Sequence, residues 1–127
     1  MARNKILIVD DEADSRELVS AILTRCGSEV NCCESVAEAL KAVREWKPDL
    51  LVSDIGMPVE DGYDLITQLR KQRSKRAKGI PAIALTAYAT REDHDRALAA
   101  GFQMHVTKPI EPETLVRSIA STVGRQI

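Results

Sequence analysis

The chain has 127 residues, enough for one ordinary domain with little left for a second. Its 18 basic and 19 acidic residues give a formal net charge of −1, so no broad basic surface for nucleic acid is expected. Hydrophobic residues make up 44% and aromatic residues 3%, which predicts a folded domain with an aliphatic core and too few rings to stack a run of bases.

The three cysteines, Cys26, Cys32 and Cys33, indicate reduced thiols rather than a disulfide framework, because their number is odd and no CxxC pair is present. No run approaches the roughly 20 apolar residues of a membrane span, and the N-terminus lacks the features of a signal peptide. We therefore expect a cytoplasmic protein that has neither nucleic acid nor a membrane as its partner.

Short aliphatic runs alternate with segments of helical periodicity along the whole chain. In chain order, strands are predicted at 6–9, 29–33, 49–53, 80–85 and 104–106. Helices are predicted around residues 18–23, after the capping box at 35–38, around 65–69, after residue 90 and from residue 111. This alternation implies right-handed crossovers, and so predicts a single α/β domain with a doubly wound, five-stranded parallel sheet and about five helices.

Polar side chains follow the predicted strands at the ends where a doubly wound fold has its functional crevice. Asp10 and Asp11 follow the first strand, Asp54 the third, Thr86 the fourth and Lys108 the fifth. Each taken alone has a simpler explanation, such as a helix N-cap, a turn residue or a solvated lysine. Their joint occurrence predicts that three carboxylates, a hydroxyl and an ammonium converge.

Such a set of charges is costly unless something compensates it. Two unit charges roughly 4 Å apart repel by about 4 kcal/mol at an effective dielectric near 20, so three ionised carboxylates would cost on the order of 10 kcal/mol, comparable to the stability of a domain. Lys108 alone cannot cancel them. Carboxylate oxygens without His or Cys suit Mg²⁺, and a bound Mg²⁺ would make one carboxylate a plausible phosphoryl acceptor.

The chain resembles the receiver domain of two-component response regulators over nearly its whole length. The resemblance rests on Ile-Val-Asp-Asp-Glu at 8–12, Ser-Asp-Ile-Gly-Met-Pro at 53–58, Asp-Gly at 61–62, Leu-Thr-Ala at 85–87 and Thr-Lys-Pro at 107–109. It implies a flavodoxin-like receiver fold with strand order 2-1-3-4-5, and phosphoryl transfer from a phosphohistidine of a partner kinase to an aspartate. Segments 54–65 and 85–109 look most like receivers of hybrid histidine kinases, so the chain is expected to be such a receiver in isolation or a close stand-alone relative.

The resemblance also implies a role for each residue of the site. Asp54 would accept the phosphoryl group. Mg²⁺ would be bound directly by Asp11, mostly through water by Asp10, and also by Asp54 and the backbone carbonyl of Gly56. The phosphoryl group would be bound by the hydroxyl of Thr86, the amide of Ala87 and the ammonium of Lys108, and the peptide bond between Lys108 and Pro109 would be cis.

Three positions around the site bear on switching and on the lifetime of the phosphoryl group. Receivers commonly carry Tyr or Phe three residues before the lysine, where this chain has His105, whose smaller ring can carry charge. The usual aromatic switch that follows Thr86 is therefore not assumed, and a partly exposed loop histidine without a signalling role is equally consistent. Slow self-dephosphorylation is expected, because Tyr88 would shield the phosphoryl group and Gly56 has no side chain to orient water.

We expect a phosphoacceptor and switch rather than a turnover enzyme. The donor would be a histidine kinase or a histidine phosphotransfer protein, and a downstream partner would bind the face of the fourth helix, fifth strand and fifth helix. Because the receiver fills residues 5–123, the chain is predicted to be a single receiver domain, 1–127, without an output domain.

Three alternatives stay open. A magnesium-dependent phosphatase would want a second acid where Gly56 stands, and a flavodoxin-like flavin binder would have its phosphate repelled by Asp10 and Asp11. A degenerate receiver that signals without phosphate is disfavoured by the intact acidic set.

Overall fold

The computed structural model describes residues 4–57, 59–87 and 90–124, in which it has five strands and six helices. In chain order the elements are β1 (Lys5–Val9), α1 (Ala13–Arg25), β2 (Glu29–Cys33), α2 (Val36–Trp46), β3 (Leu50–Asp54), α3 (Gly62–Arg70), α4 (Lys75–Lys78), β4 (Ala82–Thr86), α5 (Arg91–Ala100), β5 (Met104–Thr107) and α6 (Pro112–Gly124).

The strands form one sheet in the order β2-β1-β3-β4-β5, and every neighbouring pair is parallel. The predicted doubly wound fold with order 2-1-3-4-5 is therefore confirmed. Val9, near the end of β1, lies opposite both Cys33 and Ser53, and Thr86 lies opposite Thr107. All five strands thus end along the same edge of the sheet, so the residues that follow them come together there.

Both faces of the sheet are covered, which is why β3 and β4 are buried along their whole length. Leu7 and Val9 face a cluster formed with α2, α3 and α5, whereas Ile6 and Ile8 face a cluster formed with α1 and α6. This alternation is the two-residue period of a strand. The buried side chains are mostly aliphatic, as the composition predicts.

Local hydrogen bonds start the helices at the predicted signals. The side chain of Ser35 accepts from the N–H of Glu38, and that of Thr90 accepts from the N–H of Asp93. Within the described ranges, no helix combines the length and apolar character needed to cross a membrane.

The structure corrects the predicted elements at several strand ends and in the number of helices. β1 begins one residue earlier than predicted, at Lys5, and β3, β4 and β5 end one residue later, at Asp54, Thr86 and Thr107. β3 begins at Leu50 and β4 at Ala82, later than predicted, because the residues before them lie in the preceding loops. About five helices were predicted and six are present, since α4 forms a single short turn that begins when Ser74 accepts the N–H of Ala77. Four residues are too few to show a helical period in the sequence.

Gly62, the first residue of α3, packs directly against the backbone at the end of β3. A Cβ atom at this position would lie 2.5 Å from the carbonyl oxygen of Asp54 and 2.9 Å from the Cα atom of Ile55. Because backbone atoms cannot give way cheaply, α3 would have to move away from the loop that follows Asp54.

We predict that Gly62→Ala lowers the free energy of unfolding by about 1–3 kcal/mol, the usual cost of overpacking, as measured by urea denaturation. Gly56→Ala is the matched control, because nothing lies within 4 Å of a Cβ atom built there. Equal losses in the two variants would contradict the prediction.

Candidate functional site

Three carboxylates meet where β1 and β3 end. Asp10, Asp11 and Asp54 offer oxygens that all lie within 4.8 Å of one another. The topology brings them together, because β1 and β3 are adjacent and parallel. Asp10 is fully buried and Asp54 is 6% exposed, whereas Asp11 is exposed.

Lys108, which follows β5, brings its ammonium into this cluster. Its Nζ atom lies 3.2 Å from Oδ1 of Asp54 and 3.6 Å from Oδ2 of Asp10. The backbone N–H of Lys108 donates to the carbonyl oxygen of Thr86 at 2.7 Å, which fixes the start of the loop against β4. The peptide bond between Lys108 and Pro109 is cis in the structure.

Burial and charge act against each other on these groups. Burial raises the pKa of Asp54, and the nearby charge of Asp10 raises it further, while Lys108 and the N–H of Gly56 oppose both effects. Burial acts to lower the pKa of Lys108, but the carboxylates of Asp54 and Asp10 outweigh it and the pKa is raised. Lys108 therefore stays protonated while it partly offsets the cost of ionising Asp54.

The two oxygens of Asp10 are in different situations. Oδ1 accepts the backbone N–H of Glu12 at 2.9 Å, whereas Oδ2 is buried and has no hydrogen-bond partner among the described residues. A buried carboxylate oxygen without a hydrogen bond is costly, and its partner is often an ion. With two further carboxylates beside it, this oxygen suits Mg²⁺, which prefers hard oxygen ligands. The residues present fit the predicted ion.

The other predicted residues line the same edge of the sheet. Gly56 lies just beyond β3, and its backbone N–H acts to lower the pKa of Asp54. Thr86 ends β4 with its side chain buried, and Ala87 follows it in an exposed position. The N–H of Ile55 donates to the carbonyl oxygen of Leu85 at 3.0 Å, so the two loops are adjacent. Tyr88, predicted to shield the phosphoryl group, lies outside the described residues.

Comparison with known proteins decides the family, because the model of the response regulator receiver domain matches residues 6–120. The chain belongs to this family. An uncharacterized 14.6 kDa protein of Leptolyngbya boryana is 41% identical over 119 residues, which are 94% of this chain and 89% of that protein. Hybrid signal transduction histidine kinase D of Dictyostelium discoideum is 31% identical over 127 residues, covering 95% of this chain but 8% of that kinase.

Solved receiver structures have the same fold as this receiver. The chemotaxis protein CheY4 of Vibrio cholerae superposes with a TM-score of 0.89 at 31% identity, covering 95% of this chain and 99% of that one. The receiver domain of a sensor histidine kinase of Pseudomonas aeruginosa PAO1, described with a magnesium ion in its active site cleft, gives a TM-score of 0.87 at 28% identity, with 97% and 99% covered. The receiver spans about half the length of other curated relatives, including a phosphate regulon regulator of Escherichia coli.

His105 of this receiver lies within β5 rather than in a loop, and it is partly buried. Its Nδ1 atom is 2.6 Å from Nδ1 of His94 on α5, and the two rings meet edge to face with their centroids 4.5 Å apart. Burial lowers the pKa of His105, and the neighbouring His94 lowers it further, while Asp93 opposes them. The ring at the usual aromatic position is thus joined to α5.

Two contacts of this receiver were missed by reasoning from the sequence. One is the histidine pair, and the other is Arg16, whose Nη1 donates to the carbonyl oxygen of Asp10 at 2.9 Å. Neither contact follows from a local spacing rule, because His94 and His105 lie on different elements and Arg16 reaches back out of its helix.

We predict that the stability of this receiver declines as the pH falls below about 6.5, the ordinary pKa of histidine. Because the folded state lowers the pKa of His105, the unfolded chain binds more protons between that lowered pKa and about 6.5. The stability that the protein owes to the neutral form of His105 is complete above this pH window. It is lost as the pH falls through the window. Urea unfolding at several pH values from 7.5 to 5.5 (about two units) measures the slope.

His105→Phe is the comparison variant, because it retains a ring that cannot titrate. The slope of stability against pH should be smaller in this variant, while contributions from other groups remain. Equal slopes in the two proteins would contradict the prediction.

Proposed function

We propose that this receiver is a phosphoacceptor module of a two-component phosphorelay. Asp54 takes a phosphoryl group, with Mg²⁺, from a phosphohistidine on a histidine kinase or a histidine phosphotransfer protein. The observation that carries the proposal is the position of the Lys108 ammonium, 3.2 Å from an oxygen of Asp54 and within the cluster of three carboxylates. This arrangement provides an acceptor oxygen, a cation beside it and oxygen ligands for a metal.

The transfer exchanges one bond for another. An ionised oxygen of Asp54 attacks phosphorus, a new O–P bond forms, and the N–P bond of the phosphohistidine breaks, leaving its electron pair on the imidazole nitrogen. Lys108 and the N–H of Gly56 favour the ionised carboxylate that this attack requires. Thr86, Ala87 and Lys108 then bind the phosphoryl oxygens.

The metal is assigned to Asp10, Asp11, Asp54 and the backbone carbonyl of Gly56. When bound, Mg²⁺ neutralises the carboxylates and the incoming phosphoryl oxygens, which otherwise repel each other. The buried Oδ2 of Asp10, which has no hydrogen-bond partner among the described residues, supports this assignment from within the receiver. The magnesium ion described in the Pseudomonas aeruginosa receiver supports it by similarity.

The receiver acts as a stoichiometric acceptor and switch rather than as a turnover enzyme. A downstream partner would bind the face of α5, β5 and α6, which is the predicted face once the additional helix α4 is counted. The intact set of acids, hydroxyl and lysine favours this function over a degenerate receiver that signals without phosphate. We propose a cytoplasmic location, which the three free cysteines favour, and neither nucleic acid nor membrane as partner.

Incubation with acetyl phosphate and Mg²⁺ is expected to add one phosphoryl group to the receiver, as measured by intact mass. Chelation of Mg²⁺ should abolish the adduct, because the carboxylate charges are then uncompensated. Asp54→Asn should not form it. Asp49→Asn is the matched control, since Asp49 precedes β3 at the opposite end of the strand and pairs with Arg76. An unphosphorylated native receiver, or an adduct that persists in Asp54→Asn, would refute the proposal.

The phosphoryl group is expected to be lost slowly, over minutes or longer, because Gly56 presents no side chain to orient an attacking water. Loss is measured by intact mass after the donor is removed, with Mg²⁺ present. Gly56→Gln should shorten the lifetime severalfold or more, whereas Gly56→Ala, which adds bulk without a polar group, should not. A half-life of seconds in the native receiver would count against this expectation.

A further inference from the structure

Arg16 joins the end of β1 to the loop that follows β2. It lies in the first turns of α1, and its side chain is only 17% exposed. Its Nη1 donates to the carbonyl oxygen of Asp10 at 2.9 Å, and its Nη2 lies 3.2 Å from Oε1 of Glu34. The guanidinium therefore contacts the backbone behind the acidic cluster and not the carboxylates that face it.

With the Arg16 contact, three of the four polar atoms of Asp10 have a hydrogen-bond partner. The N–H of Asp10 donates to the carbonyl oxygen of Cys33 at 3.1 Å, and its Oδ1 accepts the N–H of Glu12 at 2.9 Å. Once Arg16 has bound the carbonyl oxygen, the remaining polar atom of Asp10 is Oδ2, which is buried, has no hydrogen-bond partner among the described residues and lies next to Lys108.

The carbonyl of Asp10 belongs to the peptide group that leads into Asp11. Because a peptide group is planar, holding its oxygen also sets the direction in which the chain enters Asp11. One guanidinium can in this way orient two consecutive carboxylates without touching either of them. The ion pair with Glu34 adds little by itself, since Glu34 is 66% exposed and exposed pairs are weak.

We propose that Arg16 is a positioning residue for the metal site, which holds the peptide group between Asp10 and Asp11 so that both carboxylates face Asp54. The inference rests on the proposed function, because it assumes that these carboxylates bind Mg²⁺. It goes beyond that function by assigning a role to a residue that touches neither the metal nor the phosphoryl group.

A purely electrostatic role and a positioning role for Arg16 predict opposite changes in Mg²⁺ affinity when Arg16 is replaced. The sign of the measured change therefore decides between them. Removing a cation near a metal site strengthens the binding of another cation by simple electrostatics. Removing an outer contact that orients the ligands weakens binding, by 10–100-fold (roughly) in metal sites of other proteins. The sign of the change in Mg²⁺ affinity therefore separates the two roles.

The experiment is calorimetric titration of the full chain with MgCl₂. Arg16→Met should weaken Mg²⁺ binding about tenfold, and Arg16→Lys, which retains the charge and one donor but loses the planar fork, should fall between Arg16→Met and the native receiver. Glu34→Gln is the matched control, because it removes the ion pair and leaves the bond to Asp10. It should bind Mg²⁺ within about twofold of the native receiver.

A second measurement separates positioning from a general loss of structure. The rate of phosphorylation by acetyl phosphate should fall in Arg16→Met at low Mg²⁺ and should recover at saturating Mg²⁺. Thermal unfolding without Mg²⁺ shows whether each variant is folded. If Arg16→Met does not fold, the comparison of Arg16→Lys with Glu34→Gln provides the same test.

Several results would overturn the inference. The first is Mg²⁺ binding by Arg16→Met that is tighter than, or within twofold of, that of the native receiver. The second is a loss of affinity in Glu34→Gln equal to that in Arg16→Met or, where Arg16→Met does not fold, to that in Arg16→Lys. The third is a phosphorylation rate of Arg16→Met that stays low at saturating Mg²⁺. If the native receiver itself fails to bind Mg²⁺ or to accept a phosphoryl group, the proposed function fails and the inference fails with it. If the native receiver does both, a failure of the Arg16 prediction leaves the proposed function intact.

Discussion

The mutual repulsion of Asp10, Asp11 and Asp54 is the constraint on which the rest of the site depends. Their oxygens lie within 4.8 Å of one another, and two of the three side chains are buried, so water screens their charges poorly. One ammonium, that of Lys108, contacts both buried members. A single positive charge cannot balance three negative charges, and the proposed Mg²⁺ would neutralise the residual negative charge.

The fold holds these charges together through contacts behind them. β1 and β3 lie within the sheet and are covered on both faces, so their ends cannot separate without disrupting both clusters of the core. Gly62 lets the start of α3 lie directly against the end of β3, and its N–H donates to the carbonyl oxygen of Ile55 at 3.0 Å. Packing energy spread over the whole domain therefore offsets an electrostatic cost concentrated at one edge.

On the side of the site formed by the ends of β4 and β5, the described contacts are hydrogen bonds rather than pairs of like charges. Thr86 and Lys108 are joined by a backbone hydrogen bond, so the loops after β4 and β5 are coupled to each other. His105, two strand positions before the end of β5, contacts His94 on α5. Unlike the ring of Phe, which has no polar atom, this ring has a polar partner on the neighbouring helix. Any movement of Thr86 that reaches β5 would therefore meet the contact between His105 and His94.

Much of this protein could be predicted from its sequence because the signals are local. The alternation of aliphatic runs and helical periods predicted every strand and every helix except α4, and the rule that parallel strands end at one edge brought Asp10, Asp54 and Lys108 together. The sequence by itself determined the type and order of the charged groups. The contacts of Arg16 and His94 were decided by the tertiary structure alone. These contacts join residues that lie in different parts of the fold. They form only when the helix has the right position along the sheet and its side chains have the right rotamers. No rule of sequence spacing specifies either.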